Sequence, residues 1–271
     1  MEEFVCDIVC PICSGNFETD GKTLRCGNGH SFDFSKEGYV NLLTSQHKNG
    51  SLIGDNKAMA VSRRNFLNKG YFSCLAEKIA DEVAGLKKEN PVVLDICCGE
   101  GYYSSVVLKK TACRLYGFDL SKEMVRLAAK RKLSALFFVA NISSIPLPDS
   151  SVDFAFHLFA PFHEKEFNRI LKPGGTLITV FPGSDHLFSL KEAVYETPYK
   201  NDEKAPETTV LKIIETVKIC EDIHLDCGED IMSLFSMTPY YYKTSKHDLE
   251  KIEKLKYLDT KAEFVLAKYT K

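Results

Sequence analysis

A chain of 271 residues, 44% hydrophobic and 27% charged, can bury one substantial core with enough left for a small appended module. Its apolar runs stop far short of the ~20 residues that cross a bilayer, so no membrane segment is expected. Met1-Glu2-Glu3-Phe4 lacks the basic and apolar parts of a signal peptide, so the expected location is the cytoplasm, where the ten cysteines stay reduced. A net charge of −2 excludes an overall polycation but not a local basic patch for nucleic acid.

Residues 1–47 are rich in Cys, Gly and short β-like runs too small to form a core without a staple. Cys10-Pro-Ile-Cys13 and Cys26-Gly-Asn-Gly-His30 supply one. Two close pairs of ligands on Pro- and Gly-bearing turns, separated by a hairpin's length, predict one tetrahedral zinc in a zinc-ribbon-like β module. With four protein ligands and no open position, the metal would be structural. Cys6 is near enough to compete, but Cys10 and Cys13 make the better knuckle.

Residues 48–70 read as an exposed basic connector. Between Gln46 and Phe72, Lys48, Lys57, Arg63, Arg64 and Lys69 stand against Asp55 alone. The main domain then occupies 71–271. Apolar residues at helical spacing (Phe72, Leu75, Ile79, Val83) predict a first helix over 71–86. Strands follow at 92–96, 115–118, 136–139, 152–156 and 176–181, with helices at 102–110, 121–132 and 164–171, the second capped by Ser121. That alternation predicts an α/β, Rossmann-like, doubly wound and mostly parallel sheet. Residues 185–196 and 246–255 read as helices and 263–269 as a last strand.

Val92-Val-Leu-Asp-Ile-Cys-Cys-Gly-Glu-Gly101 is an apolar strand ending in Asp95, then a turn with Gly99 and Gly101, then a helix. Such a loop lets backbone approach a ligand at the carboxyl end of a sheet. Asp119 ends the next strand, where its carboxylate can accept hydrogen bonds from ribose hydroxyls. Either acid alone would suit helix capping or turn chemistry, but together they indicate a nucleoside site. Asn141, after the third strand, can meet an adenine edge.

These segments resemble class I S-adenosylmethionine-dependent methyltransferases and, within them, the guanine-N1 methyltransferases of large-subunit (23S) ribosomal RNA. The likeness rests on the four zinc ligands, Cys26-Gly-Asn-Gly-His-Ser-Phe-Asp33, Gly38-Tyr-Val-Asn-Leu-Leu43, Arg63-Arg-Asn-Phe-Leu67 with Gly70-Tyr71, Asp95 to Tyr103, and Pro182-Gly-Ser-Asp-His-Leu187. It implies that Tyr71, Gly99, Glu100 and His186 contact the methyl donor, while Asp119 and Asn141 fill general class I positions. It implies a guanine in a hairpin of 23S rRNA as substrate, and a homodimer. One residue departs from the pattern: Cys97 stands where the first glycine is expected, and its Cβ would crowd the donor if the backbone there needs a positive φ.

After the fourth strand, the segment His157 to His163 faces the expected methyl position. There Phe159 could stack on a base and Pro161 could shape the turn. His157, His163 and Glu164 are candidate bases among which spacing does not choose, so the catalytic residues stay unassigned. Arg63, Arg64 and Lys69 are expected to meet RNA phosphate, whereas Lys122, Arg126, Lys130, Arg131 and Lys132 read as the solvent face of a helix. Two other functions share these features: a small-molecule methyltransferase with an incidental zinc knuckle, and a non-catalytic rRNA-binding protein with a degenerate donor site.

Overall fold

The computed structural model describes residues 2–5, 7–44 and 57–271; Cys6, Lys48 and Asp55 lie outside them. After a short helix α1 (Glu2–Val5), the N-terminal part folds as a three-stranded antiparallel sheet, β1 (Phe17–Thr19), β2 (Thr23–Cys26) and β3 (Ser31–Asp33). Asp20 closes the first hairpin, its Oδ1 accepting the amides of Lys22 and Thr23 at 2.9 and 2.8 Å, while Gly21 takes φ 83°. A two-residue strand β4 (Val40–Asn41) then leaves this sheet for the large one.

Residues 57–68, within the stretch expected to be a connector, form helix α2 (Lys57–Asn68). Met59, Ala60, Phe66 and Leu67 are buried at helical spacing, and this apolar stripe outweighs the polar composition. The remaining elements are α3 (Ser73–Ala84), β5 (Val92–Ile96), α4 (Tyr102–Lys110), β6 (Arg114–Asp119), α5 (Lys122–Ala129), β7 (Ala135–Val139), β8 (Val152–Leu158), α6 (Glu164–Ile170), β9 (Leu171–Pro182), α7 (Phe188–Val194), β10 (Lys212–Leu225), α8 (Gly228–Ser236), α9 (Lys246–Glu253) and β11 (Leu258–Thr270). Ser121 caps α5 as expected, its Oγ accepting the Met124 amide.

The large sheet runs β10-β11-β9-β8-β5-β6-β7-β4. Strands β4 to β9 are parallel neighbours, and β11 joins β9 and β10 antiparallel. From β5 the chain winds outward through β6 and β7, then returns to β8 on the other side. The strand order therefore reverses between β5 and β8, which opens a crevice at their carboxyl ends. One face of the sheet is covered by α2, α3, α7 and α8, with Ile79, Phe154, Phe235 and Phe264 in its core. The other face buries α6 together with Ile8, Phe17 and Leu24 of the N-terminal module against Leu94, Phe118 and Phe138. Tyr116 in β6 reinforces the junction by donating its hydroxyl to Asp7 Oδ2 at 2.7 Å, and Arg114 pairs with Asp7 at 2.8 Å. Among the described residues no helix is long and apolar enough to cross a membrane.

Candidate functional site

The two knuckles come together as the spacing predicts. Cys10 Sγ lies 3.6 Å from His30 Nδ1, Cys13 Sγ 3.6 Å from Cys26 Sγ, and Cys26 Sγ 3.3 Å from His30 Nδ1. A zinc–sulfur bond of about 2.3 Å makes the edges of its tetrahedron about 3.8 Å, so these four atoms enclose a site of the right size. Local backbone sets this up. Ser14 turns at φ 57° while its amide donates to Cys10 O, and Gly29 turns at φ 81° while its amide donates to Cys26 O. The Gly15 amide beside Cys13 is the main cause that pulls its thiol down to about 6, favouring the thiolate a metal needs. The donor set fits one structural zinc.

A cleft of about 800 Å³ occupies the crevice at the ends of β5 and β8. Asp95, Gly99, Glu100, Asp119 and His186 line it, whereas Tyr71, Gly101 and Asn141 do not. The Gly99 loop bends at φ 55°, and a Cβ built there would stand in open space, so the backbone faces the cleft bare. At Gly101 the glycine has another cause: φ is 80° and a Cβ would come within 3.0 Å of Ala128 in α5. Asp119 accepts the Gly99 amide at 3.0 Å and the Ser121 amide at 2.8 Å, which fixes its carboxylate at the cleft. Asn141 folds its side-chain oxygen onto the Ser143 amide and hydroxyl in a local turn. Tyr71 donates its hydroxyl to Asp230 Oδ2 at 2.7 Å and stacks on Phe66.

Burial lifts the Asp95 carboxyl to about 7, although the Ser104 hydroxyl donates to it at 2.6 Å. Glu100 is also raised by burial, opposed by Arg131, whose Nε donates to Glu100 Oε2 at 2.9 Å. Arg131 is thus not on the solvent face of α5, as its place in a basic run suggested. It turns inward to the donor loop and also donates to Asn68 Oδ1. The other oxygen of Glu100, Oε1, is buried with no hydrogen-bond partner among the described residues. A buried unpaired acceptor at the cleft is a place where a ligand can donate a hydrogen bond. His186 accepts the Glu263 amide on Nδ1, leaving Nε2 as the donor of a ring that burial holds neutral by pushing it down to about 4.

Cys97 sits on the cleft at φ 58°, so the backbone does adopt the left-handed conformation that suits the glycine expected there. Replacing Cys97 with glycine is expected to raise unfolding stability by about 1 kcal/mol and to tighten donor binding by removing a side chain from the loop. Urea denaturation and calorimetric titration read both quantities. A less stable variant would mean that packing of the thiol outweighs the strain.

The candidate bases do not converge on the cleft. His157 is buried on the opposite core face, its ring edged against Phe162 and Phe167, and burial lowers it to about 4. Pro161 is exposed, and His163 is the N-cap residue just before α6. Glu164 instead anchors a later loop by accepting the Thr209 and Val210 amides. Phe159 does line the cleft, half-exposed at φ 53°, with its ring stacked at 6.2 Å on His186. A bulky residue in this conformation is a strained exception of the kind that gathers at functional sites. Lys69, expected on phosphate, gives its ammonium to the buried carboxylate of Asp230 at 2.6 Å. Nothing local in the sequence marks that pairing.

Residues 8–51 match the family description "RlmA, N-terminal", a zinc ribbon, and residues 93–175 match "Methyltransferase domain". The 23S rRNA (guanine(748)-N(1))-methyltransferase of Streptomyces fradiae is 37% identical, covering 68% of this chain and 66% of its own length. YxjB of Bacillus subtilis (strain 168), provisionally named a 23S rRNA (guanine-N(1)-)-methyltransferase, is 32% identical over 69% and 68%. A Micromonospora griseorubida protein with the same provisional name is 33% identical over 67% of both chains. The chain spans about two thirds of the length of these curated relatives. Among solved structures, a Haloferax volcanii methyltransferase in complex with the Trm112 methyltransferase activator superposes with a TM-score of 0.51 at 19% identity, over 81% of this chain and 99% of that one, which shows the shared fold.

Proposed function

The chain belongs to the family of 23S rRNA guanine-N1 methyltransferases, and from that membership we infer that it transfers a methyl group from S-adenosylmethionine to N1 of a guanine in 23S rRNA. One observation carries the reading: a zinc ribbon is packed on the same sheet whose switch point holds the donor cleft. The expected setting is an RNA hairpin in the cytoplasm, with a second copy of the chain as partner.

S-adenosylmethionine, when bound, brings a methyl group on a positively charged sulfur. Asp119 and the Gly99 loop would hold its nucleoside, and Glu100 its amino group. Alignment of N1, methyl carbon and sulfur is worth up to about 7–11 kcal/mol in favourable cases. Phe159 offers a face on which a base splayed from its stack can lie. Arg63 borders the same cleft, and with Arg64 and Lys57 it gives α2 a basic run toward RNA phosphate. Neither alternative function is favoured by an observation of the site.

Undermethylated 23S rRNA incubated with the protein and labelled donor should yield 1-methylguanosine by nucleoside mass spectrometry. Labelled RNA without that nucleoside would refute the reading.

A further inference from the structure

Removal of the N1 proton needs an acceptor that neither the histidines nor Glu164 provides. Four carboxylates line the cleft among the described residues: Asp95, Glu100, Asp119 and Asp202. The first three serve the donor loop, through Ser104, Arg131 and the Gly99 amide respectively. Asp202 is exposed and lies on a coil with no regular structure, yet its own Oδ1 accepts the Lys204 amide at 3.2 Å, which leaves Oδ2 and a second lone pair on Oδ1 for a ligand, and its neighbours fix it.

On one side, Asn201 donates its backbone amide to Ser184 O at 3.2 Å and its side-chain Nδ2 to Gly183 O at 2.8 Å. On the other, Glu203 Oε1 accepts the Ser184 amide at 2.5 Å and the Lys218 ammonium at 2.8 Å. The Gly183 turn carries His186, whose ring stacks on Phe159. Asp202 and the Phe159 face are thereby parts of one assembly on the cleft wall. Buried Lys191 completes it, donating to Tyr199 O at 2.8 Å and Asn201 Oδ1 at 2.7 Å. Its ammonium has no carboxylate partner among the described residues, only these oxygens and the Tyr199 and Tyr240 rings. Desolvating a lysine for this purpose is costly, which marks the 199–203 wall as a segment whose position matters.

We propose that Asp202 receives the Watson–Crick edge of the target guanine, accepting N1–H and the exocyclic N2–H together and taking the N1 proton during transfer. The inference rests on the guanine-N1 reading above. Guanine presents these two donors side by side, and a carboxylate offers two acceptors in matching geometry. As the N1–H bond breaks toward Asp202, the electron pair left on N1 bonds to the methyl carbon. The methyl–sulfur bond breaks with its pair going to neutral sulfur, and Asp202 later gives the proton to water.

Asp202→Asn should lower kcat by roughly 100- to 10,000-fold while leaving S-adenosylmethionine affinity and the thermal transition unchanged. Asp202→Glu, which keeps the acceptor, should recover part of the rate. RNA with inosine at the target keeps N1–H but lacks the exocyclic amine. That substitution should slow the wild type by about tenfold and make no further difference to Asp202→Ala, which has no acceptor left for the amine. A wild-type rate in Asp202→Asn, or an inosine penalty in Asp202→Ala equal to that of the wild type, overturns the assignment. So does a loss of donor binding or of folding in both Asp202→Asn and Asp202→Glu, which would make Asp202 structural. Failure of the guanine-N1 reading itself would show separately, as wild-type protein that forms no 1-methylguanosine.

Discussion

Replacing Cys26 with alanine should cost the protein its zinc, the ordered fold of β1 to β3 and RNA methylation, while S-adenosylmethionine still binds. Cys26 touches two other ligands, at 3.3 Å from His30 Nδ1 and 3.6 Å from Cys13 Sγ, and it is the last residue of β2, the strand that pairs with both neighbours. The module's interior holds few side chains of the size of Ile8, Phe17 and Leu24, each worth about 1.5–3 kcal/mol when buried. Ordering its backbone costs about 1–2 kcal/mol per residue, so apolar burial alone falls well short. Structural zinc contributes about 10–16 kcal/mol in small domains of this kind, which is enough to decide the balance. The donor cleft lies at the carboxyl ends of β5 and β8 and takes no side chain from the described residues of the module. Metal content, circular dichroism and calorimetric donor titration check the three parts of the result. A zinc-free variant that still methylates RNA would show that the metal is dispensable.

The second large effect is expected at Arg131. Changing it to methionine leaves Glu100, whose side chain is 0% exposed, without its cation. Removing one partner of a buried pair costs about 3–5 kcal/mol because the other charge stays desolvated. The pH dependence has a definite sign. Burial already holds Glu100 above its ordinary 4.5, and losing Arg131 raises it further. A carboxyl whose folded value exceeds its unfolded one is protonated, and tolerated, below that ordinary value, and its stability contribution is lost as pH rises through the folded value. The deficit of Arg131→Met should therefore be larger at pH 8 than at pH 5 in urea unfolding. Donor affinity should fall too, since Nε of Arg131 also donates to the Glu100 carbonyl in the loop. A deficit near zero at both pH values would mean that solvent screens the pair.

Much of this site is local chemistry and was readable as such. The zinc knuckles and the turn after β5 depend on residues a few positions apart, so spacing identifies them, and α4 spans the residues expected. What escaped is tertiary. Lys69 and Tyr71 meet Asp230 across some 160 residues, and the inward turn of Arg131 is invisible inside a run of cations. Strand β10 carries Ile213, Ile214, Val217, Ile219 and Ile223, but charged residues break them out of a regular two-residue alternation and only Ile223 and Leu225 are buried at this sheet edge, so no period marks it. Helix α2 was hidden by its own charge, although its buried residues keep helical spacing.

Strand β4 covers the edge of β7 with only two residues, aided by the Leu42 amide donating to Val139 O. Under that strip lies Leu136-Phe-Phe-Val139, an apolar run buried along its whole length. An open strand of this kind is a template on which other chains can pair and aggregate. Zinc is therefore expected to matter for solubility as well as shape: a chain that loses β4 together with the module bares this border, and should stay in solution at low concentration yet self-associate as concentration rises.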